Sequence, residues 1–89
     1  MEVLLLGDYH VTLYVSPDCE DCQKARRFLE NKGINYEEKS IQDSGARGEL
    51  RYKTGRTECP TIDVDGHIVV GYLPEKWDHL LSEGPLRMT

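Results

Sequence analysis

The sequence is short of basic side chains: 11 lysines and arginines stand against 16 aspartates and glutamates, for a formal net charge of −5. That balance leaves no basic stripe to hold nucleic acid or an anionic membrane surface, so neither is an expected partner. Cysteine is scarce and odd in number, three in 89 residues. Three thiols cannot all pair within one chain, which argues against a secreted disulfide framework and for a reducing compartment, the cytoplasm by default. Long apolar runs are missing as well. Val3-Leu4-Leu5-Leu6 is too short for the ~7 or more residues of a signal-peptide core, and Met1-Glu2 puts an acid where such a signal is basic. No stretch approaches the ~18 apolar residues of a membrane span. Repeats, low-complexity segments and linkers are absent too. With 38% hydrophobic and 30% charged residues, the composition is that of a globular chain. We expect one domain over residues 1–89, acting as a monomer, with an N-terminal extension at 1–10 and a frayed tail at 83–89.

What the chain does have is Ser16-Pro17-Asp18-Cys19-Glu20-Asp21-Cys22, placed between a strand-like run and a helix-like one. Val11 to Val15 reads as a central strand, with Val11, Leu13 and Val15 on one side and Thr12 and Tyr14 on the other. Pro17 ends it, and Asp18 is a candidate cap for the helix that follows. From about Glu20 to Lys32, Cys22, Ala25, Phe28 and Leu29 fall on one stripe while Lys24, Arg27 and Glu30 point outward; Gly33 is the stop signal. A thiol at a helix N-terminus faces unpaired backbone N–H groups and the positive end of the dipole, which favour a thiolate. Cys22 lies one turn further on the same face. Cys19 is therefore the expected nucleophile and Cys22 the expected resolving thiol, closing a short, reducible disulfide by exchange.

The rest of the chain supplies the other elements. Ile34 to Ile41 alternates and reads as a polar edge strand. A second helix starts at Asp43 or Ser44 and reaches about Lys53, with Ala46 and Leu50 inward; Gly45 and Gly48 each weaken it by roughly 1 kcal/mol. Thr61-Ile62-Asp63-Val64 and His67-Ile68-Val69-Val70 flank Asp65-Gly66, the signature of a tight hairpin. Pro74 suits the first position of a last helix, whose stripe is Leu73, Trp77, Leu80 and Leu81. The order is β-α-β-α-β-β-α: an α/β chain with a mixed four-stranded sheet flanked by helices. The strand, helix, strand opening implies a parallel crossover.

With Cys19-Glu20-Asp21-Cys22 opening the first helix and Glu58-Cys59-Pro60-Thr61 opening the hairpin, the chain resembles the glutaredoxins from about Val11 to Leu81. The resemblance implies the thioredoxin fold and a dithiol-disulfide oxidoreductase that reduces protein or low-molecular-weight disulfides. It also implies a cis peptide before Pro60, with the Cys59 backbone left free to pair with an extended substrate chain and the proline packed beside the dithiol. Gly71-Tyr72-Leu73-Pro74-Glu75 is similar to the Gly-Phe-x-Pro segment of the glutaredoxin-like hydrogen donors of ribonucleotide reductase. The implied substrate-binding set is then Cys59, Pro60, Gly71 and Tyr72, with Tyr72 covering the far wall of the groove. No organic cofactor is implied, electrons coming from glutathione or a flavoprotein reductase. Glutathione-using relatives usually carry Lys where this chain has Ser16, and a Gly-Gly pair with a capping acid or hydroxyl where it has Gly71-Tyr72. A thioredoxin-reductase-type enzyme is therefore the expected reductant.

Other readings stand beside this one. In the alternative, Cys19, Cys22 and Cys59 supply thiolates to a metal ion or iron-sulfur cluster, with a further ligand from outside. A weaker reading is a binding subunit whose dithiol is incidental. Cys59 reads either as a small buried hydrophobe or as a third thiol within reach of the pair. Glu20 and Asp21 oppose a negative charge on Cys19 and should make the couple more reducing. Lys24, Arg26 and Arg27 read as a solvated face, with a basic rim for an acidic substrate tail as the alternative. His10, His67 and His79 lack ligand spacing and read as solvent-facing, and Trp77 reads as core.

Overall fold

A computed structural model of the chain describes residues 10–82. The apolar quartet at Val3–Leu6 and the tail at 83–89 lie outside them. Within the described residues the order is β1 (Val11–Val15), α1 (Glu20–Asn31), β2 (Glu37–Ser40), α2 (Ser44–Thr54), β3 (Thr61–Val64), β4 (His67–Val70) and α3 (Pro74–Ser82). The sheet runs β2-β1-β3-β4. β2 lies parallel to β1, with Thr12 opposite Glu37 and Val15 opposite Ser40. β3 is antiparallel to β1, Leu13 facing Ile62, and β4 is antiparallel to β3. This is the mixed four-stranded sheet expected from the sequence.

β1 is central because every one of its residues can be covered: all five are buried. Val11, Leu13 and Val15 join Ile62 and Val64 in one core with Cys22, Ala25 and Leu29 of α1 and Trp77 and Leu81 of α3. Each fully buried aliphatic side chain of that set contributes about 1.5–3 kcal/mol. Tyr14 belongs to the opposite face, where Lys53 of α2 reaches its hydroxyl at 2.7 Å. Ala46 and Leu50 of α2 are buried, as their spacing predicts.

The local signals explain the boundaries. α2 forms despite Gly45 and Gly48 because both ends are capped. Asp43 Oδ2 accepts the Ala46 N–H at 2.9 Å, and left-handed Gly55 (φ 78°) donates its N–H to the Arg51 carbonyl at 2.7 Å. Asp65 and Gly66 both take positive φ, 51° and 93°, the geometry of a primed two-residue turn. Asp63 Oδ1 reinforces it by accepting the Gly66 N–H at 2.8 Å.

Four details differ from the sequence reading. The second strand keeps only Glu37–Ser40 of the expected Ile34–Ile41, because it pairs along β1 alone. The first helix stops at Asn31 rather than Lys32. Leu73 precedes α3 and is 42% exposed, so it is not part of the buried stripe. Asp18 does not cap α1: it takes a left-handed φ of 57°, and Cys19 becomes the capping residue.

Candidate functional site

The dithiol sits where β1 hands over to α1. The turn through Pro17 and left-handed Asp18 delivers Cys19 in an extended conformation (φ −122°, ψ 107°), as an N-cap residue must be. Its Sγ accepts the Cys22 N–H at 3.0 Å. A sulfur thus takes the place usually held by a serine or aspartate oxygen. The donor is one of the orphan N–H groups of the first turn, and it stabilises negative charge on that sulfur.

Cys22 lies one turn further in, with Cα atoms 5.2 Å apart and the two sulfurs at disulfide distance. The neighbours differ sharply in environment. Cys22 is 1% exposed and packs in the core, whereas Cys19 is half-buried and opens on a cavity of about 490 Å³. Asp18, Cys19, Glu20, Asp21 and Cys59 line that cavity.

Cys59 is thus a neighbour of the dithiol across the cavity. Its thiol remains free and half-buried. Burial pushes the Cys59 pKa up, and a hydrogen bond with Ser16 pulls partly against that shift. The peptide bond from Cys59 to the fully buried Pro60 is cis. Among the described residues no backbone hydrogen bond occupies the Cys59 N–H or C=O, while the Pro60 carbonyl accepts the Gly71 N–H at 2.8 Å.

Gly71, at φ 93°, stands where a side chain would strain the backbone. Its own carbonyl accepts the Trp77 indole N–H at 3.1 Å. Tyr72 is half-buried in an edge-to-face trio, 5.3 Å from Trp77 and 6.1 Å from Phe28 between ring centroids. Chain elements far apart in sequence therefore bring Cys19, Cys22 and Cys59 together. Gly71 is tied to the corner through Pro60, and Tyr72 is packed over the core rather than in the cavity lining.

The basic-rim alternative meets a different surface. The cavity lining is acidic, Arg26 turns to Glu38 at 2.8 Å, and Lys24 stands 3.9 Å from Asp21. Among the described residues no group of three or more His, Cys, Asp or Glu side chains is gathered to hold a metal ion. Sequence reasoning missed the Ser16–Cys59 contact and the part Asp18 takes in the lining. A serine next to the strand end and an acid next to the first cysteine were the only local hints.

The glutaredoxin family model matches residues 11–69. The chain belongs to the glutaredoxin family. Glutaredoxin 3 of Escherichia coli is 32% identical over 63 residues, which span 70% of this chain and 76% of that protein. The thioredoxin-like protein BC3987 has a solved structure that is 34% identical, with a TM-score of 0.75, covering 79% of this chain and 97% of that one. The glutaredoxin-like NrdH-redoxin of Escherichia coli is 25% identical with a TM-score of 0.70, covering 80% of this chain and 93% of that one. The fold is the thioredoxin fold, and the function is dithiol redox chemistry. No described helix of this glutaredoxin-family chain is long and apolar enough to cross a membrane.

Proposed function

We propose that this protein is an electron carrier that reduces disulfides of proteins or small molecules, with Cys19 as the attacking thiol and Cys22 as the resolving one. The Cys19 thiolate attacks one sulfur of the target disulfide. The target bond breaks, a mixed disulfide forms on Cys19, and the released target sulfur takes a proton. The Cys22 thiolate then attacks Cys19 Sγ and expels the second target sulfur, leaving the Cys19–Cys22 disulfide and two electrons on the target. The observation that carries this reading is the asymmetry of the pair: one sulfur capping a helix at the cavity, the other 1% exposed behind it.

In the same proposal Cys59, Pro60, Gly71 and Tyr72 receive the substrate chain. The Cys59 N–H and C=O, which carry no backbone hydrogen bond among the described residues, support this, since they can pair with an extended segment as an added strand does. Gly71 holds the Pro60 corner, and Tyr72 forms a wall beyond it. The carrier works as a cytoplasmic monomer without a resident cofactor. Its reductant is a thioredoxin-reductase-type flavoprotein rather than glutathione. Ser16 and Gly71-Tyr72 support that preference, as does the thioredoxin-like activity profile reported for the NrdH-redoxin relative.

The test is to trap the intermediate. Cys19→Ser should abolish disulfide reduction, and Cys22→Ser should accumulate a mixed disulfide visible by mass spectrometry. On brief treatment of the reduced protein with iodoacetamide, Cys19 should be labelled first; faster labelling of Cys22 would reverse the roles. Side by side, the flavoprotein should sustain turnover, and saturable reduction by submillimolar glutathione would refute the reductant assignment.

A further inference from the structure

We infer that the dithiol cleft selects disulfides flanked by positive charge, such as a protein segment with lysine or arginine beside its cystine. This rests on the reading of Cys19 as the attacking thiol, and it names the substrate class for that site. The dithiol marks the site, and the carboxylates act on what approaches it. Apart from the two sulfurs, every side chain lining the cavity is a carboxylate: Asp18, Glu20 and Asp21. Lys24 offsets Asp21 only weakly, at 3.9 Å with both side chains more than half exposed. Asp18 and Glu20 have no ion pair among the described residues. Arg26 is not available to balance them, being held by Glu38 at 2.8 Å.

A substrate that pairs with the Cys59 backbone must pass these carboxylates. All are within roughly a Debye length, 8–10 Å at moderate salt, of a chain whose sulfur touches Cys19. Uncompensated charge on one wall raises the local concentration of cationic partners and lowers that of anionic ones, by about 10-fold or more in rate at low ionic strength. Glutathione disulfide, an anion at neutral pH, is disfavoured by the same wall. The negative charge of the Cys19 thiolate acts in the same direction, so a test must separate lining from nucleophile.

The experiment reacts the reduced full-length protein with cystamine, which is cationic, 2-hydroxyethyl disulfide, which is neutral, and 3,3′-dithiodipropionate, which is anionic. Each rate is divided by the rate of dithiothreitol with the same disulfide, which removes intrinsic leaving-group differences. The corrected cation-to-anion ratio should be about 10 or more at low salt and fall towards unity at high salt. Asp18→Asn with Glu20→Gln should lower the low-salt ratio at least about threefold, and Glu20→Gln alone should lower it in the same direction. A ratio unchanged in both variants, or a wild-type ratio near unity at low salt, overturns the inference while leaving the redox reading intact. Failure of the wild type to reduce even the neutral disulfide overturns the redox reading, and this inference with it.

Discussion

Replacing Lys53 by methionine should destabilise the fold by roughly 2–3 kcal/mol without slowing the redox chemistry. Lys53 Nζ lies 2.6 Å from Asp63 Oδ2, 2.7 Å from the Tyr14 hydroxyl and 3.5 Å from Glu49 Oε2. Tyr14 is fully buried and the Asp63 side chain is 11% exposed. Burial is the largest single influence on Lys53 and opposes its charge. The hydrogen bonds to Asp63 and Tyr14, with the attraction of their charges, outweigh it and hold the ammonium pKa above its usual range. Methionine keeps most of the stem's packing but leaves Asp63 with the Gly66 N–H on Oδ1 and nothing comparable on Oδ2.

Removing one partner of a buried pair costs about 3–5 kcal/mol. The lower figure of 2–3 applies because the Lys53 side chain keeps 25% of its surface in water. With a urea m-value near 1 kcal/mol/M for so small a domain, the unfolding midpoint should fall by about 2–3 M. Asp63→Asn should also destabilise, and the Lys53→Met/Asp63→Asn double variant should cost at least about 1 kcal/mol less than the sum of the singles. A single-variant loss below about 0.5 kcal/mol, or strict additivity, refutes the account. Because the network lies across the sheet from Cys22, the rate of disulfide reduction below the melting transition should match wild type.

Stability should be lost at both ends of the pH scale. Burial raises the pKa of Tyr14 above 10.0 and of Cys59 above 9.0, and the bonded Lys53 is also raised. Groups with raised folded pKa stabilise fully below their unfolded values, so urea midpoints should begin to fall as pH climbs past about 9. The hydrogen bond from Lys39 lowers the Glu49 pKa from its ordinary 4.5, so its contribution is fully present above that ordinary value and is lost as pH falls below it through the lowered folded value. A midpoint that stays flat to pH 11 would contradict the alkaline arm. Gly71→Ala should cost about 1–2 kcal/mol through its left-handed backbone alone, since an added Cβ would meet nothing within 4 Å. A neutral outcome in urea unfolding would show that the segment relaxes.

Elements whose cause is local were legible in the sequence. The hairpin was fixed by Asp65-Gly66, the central strand by the short strand-like run Val11-Thr12-Leu13-Tyr14-Val15, and α2 by the start signal at Asp43 and the inward spacing of Ala46 and Leu50. The dithiol was legible because a strand end, a helix start and the Cys-x-x-Cys spacing coincide within a few residues. The Asp18 cap was misread for a physical reason: a sulfur is rarely preferred to a carboxylate as an N-cap, and only the left-handed turn at Asp18 swings the acid aside. The Tyr14–Lys53–Asp63 network was invisible, since its members come from β1, α2 and β3, are brought together by strand pairing and by the helix lying over the sheet, and carry no shared local pattern. The hydrogen bond between Ser16 and Cys59 escaped notice for the same reason.

Under the proposed docking beside Cys59, Gly71 bears on how partners associate. Its N–H holds Pro60 and its carbonyl holds the indole of Trp77, a fully buried residue, so the corner beside Cys59 is fastened to the deepest part of the molecule. Fixing a backbone residue costs roughly 1–2 kcal/mol in lost freedom. On this surface that loss is incurred during folding and is not repeated at each encounter. For a partner docking there as proposed, the entropic penalty of complex formation would then fall almost entirely on the partner. A tail already extended in solution should therefore bind faster and longer than an equally charged tail that must first uncoil, and selection among targets passes in part from recognition by the carrier to the flexibility of what it reduces.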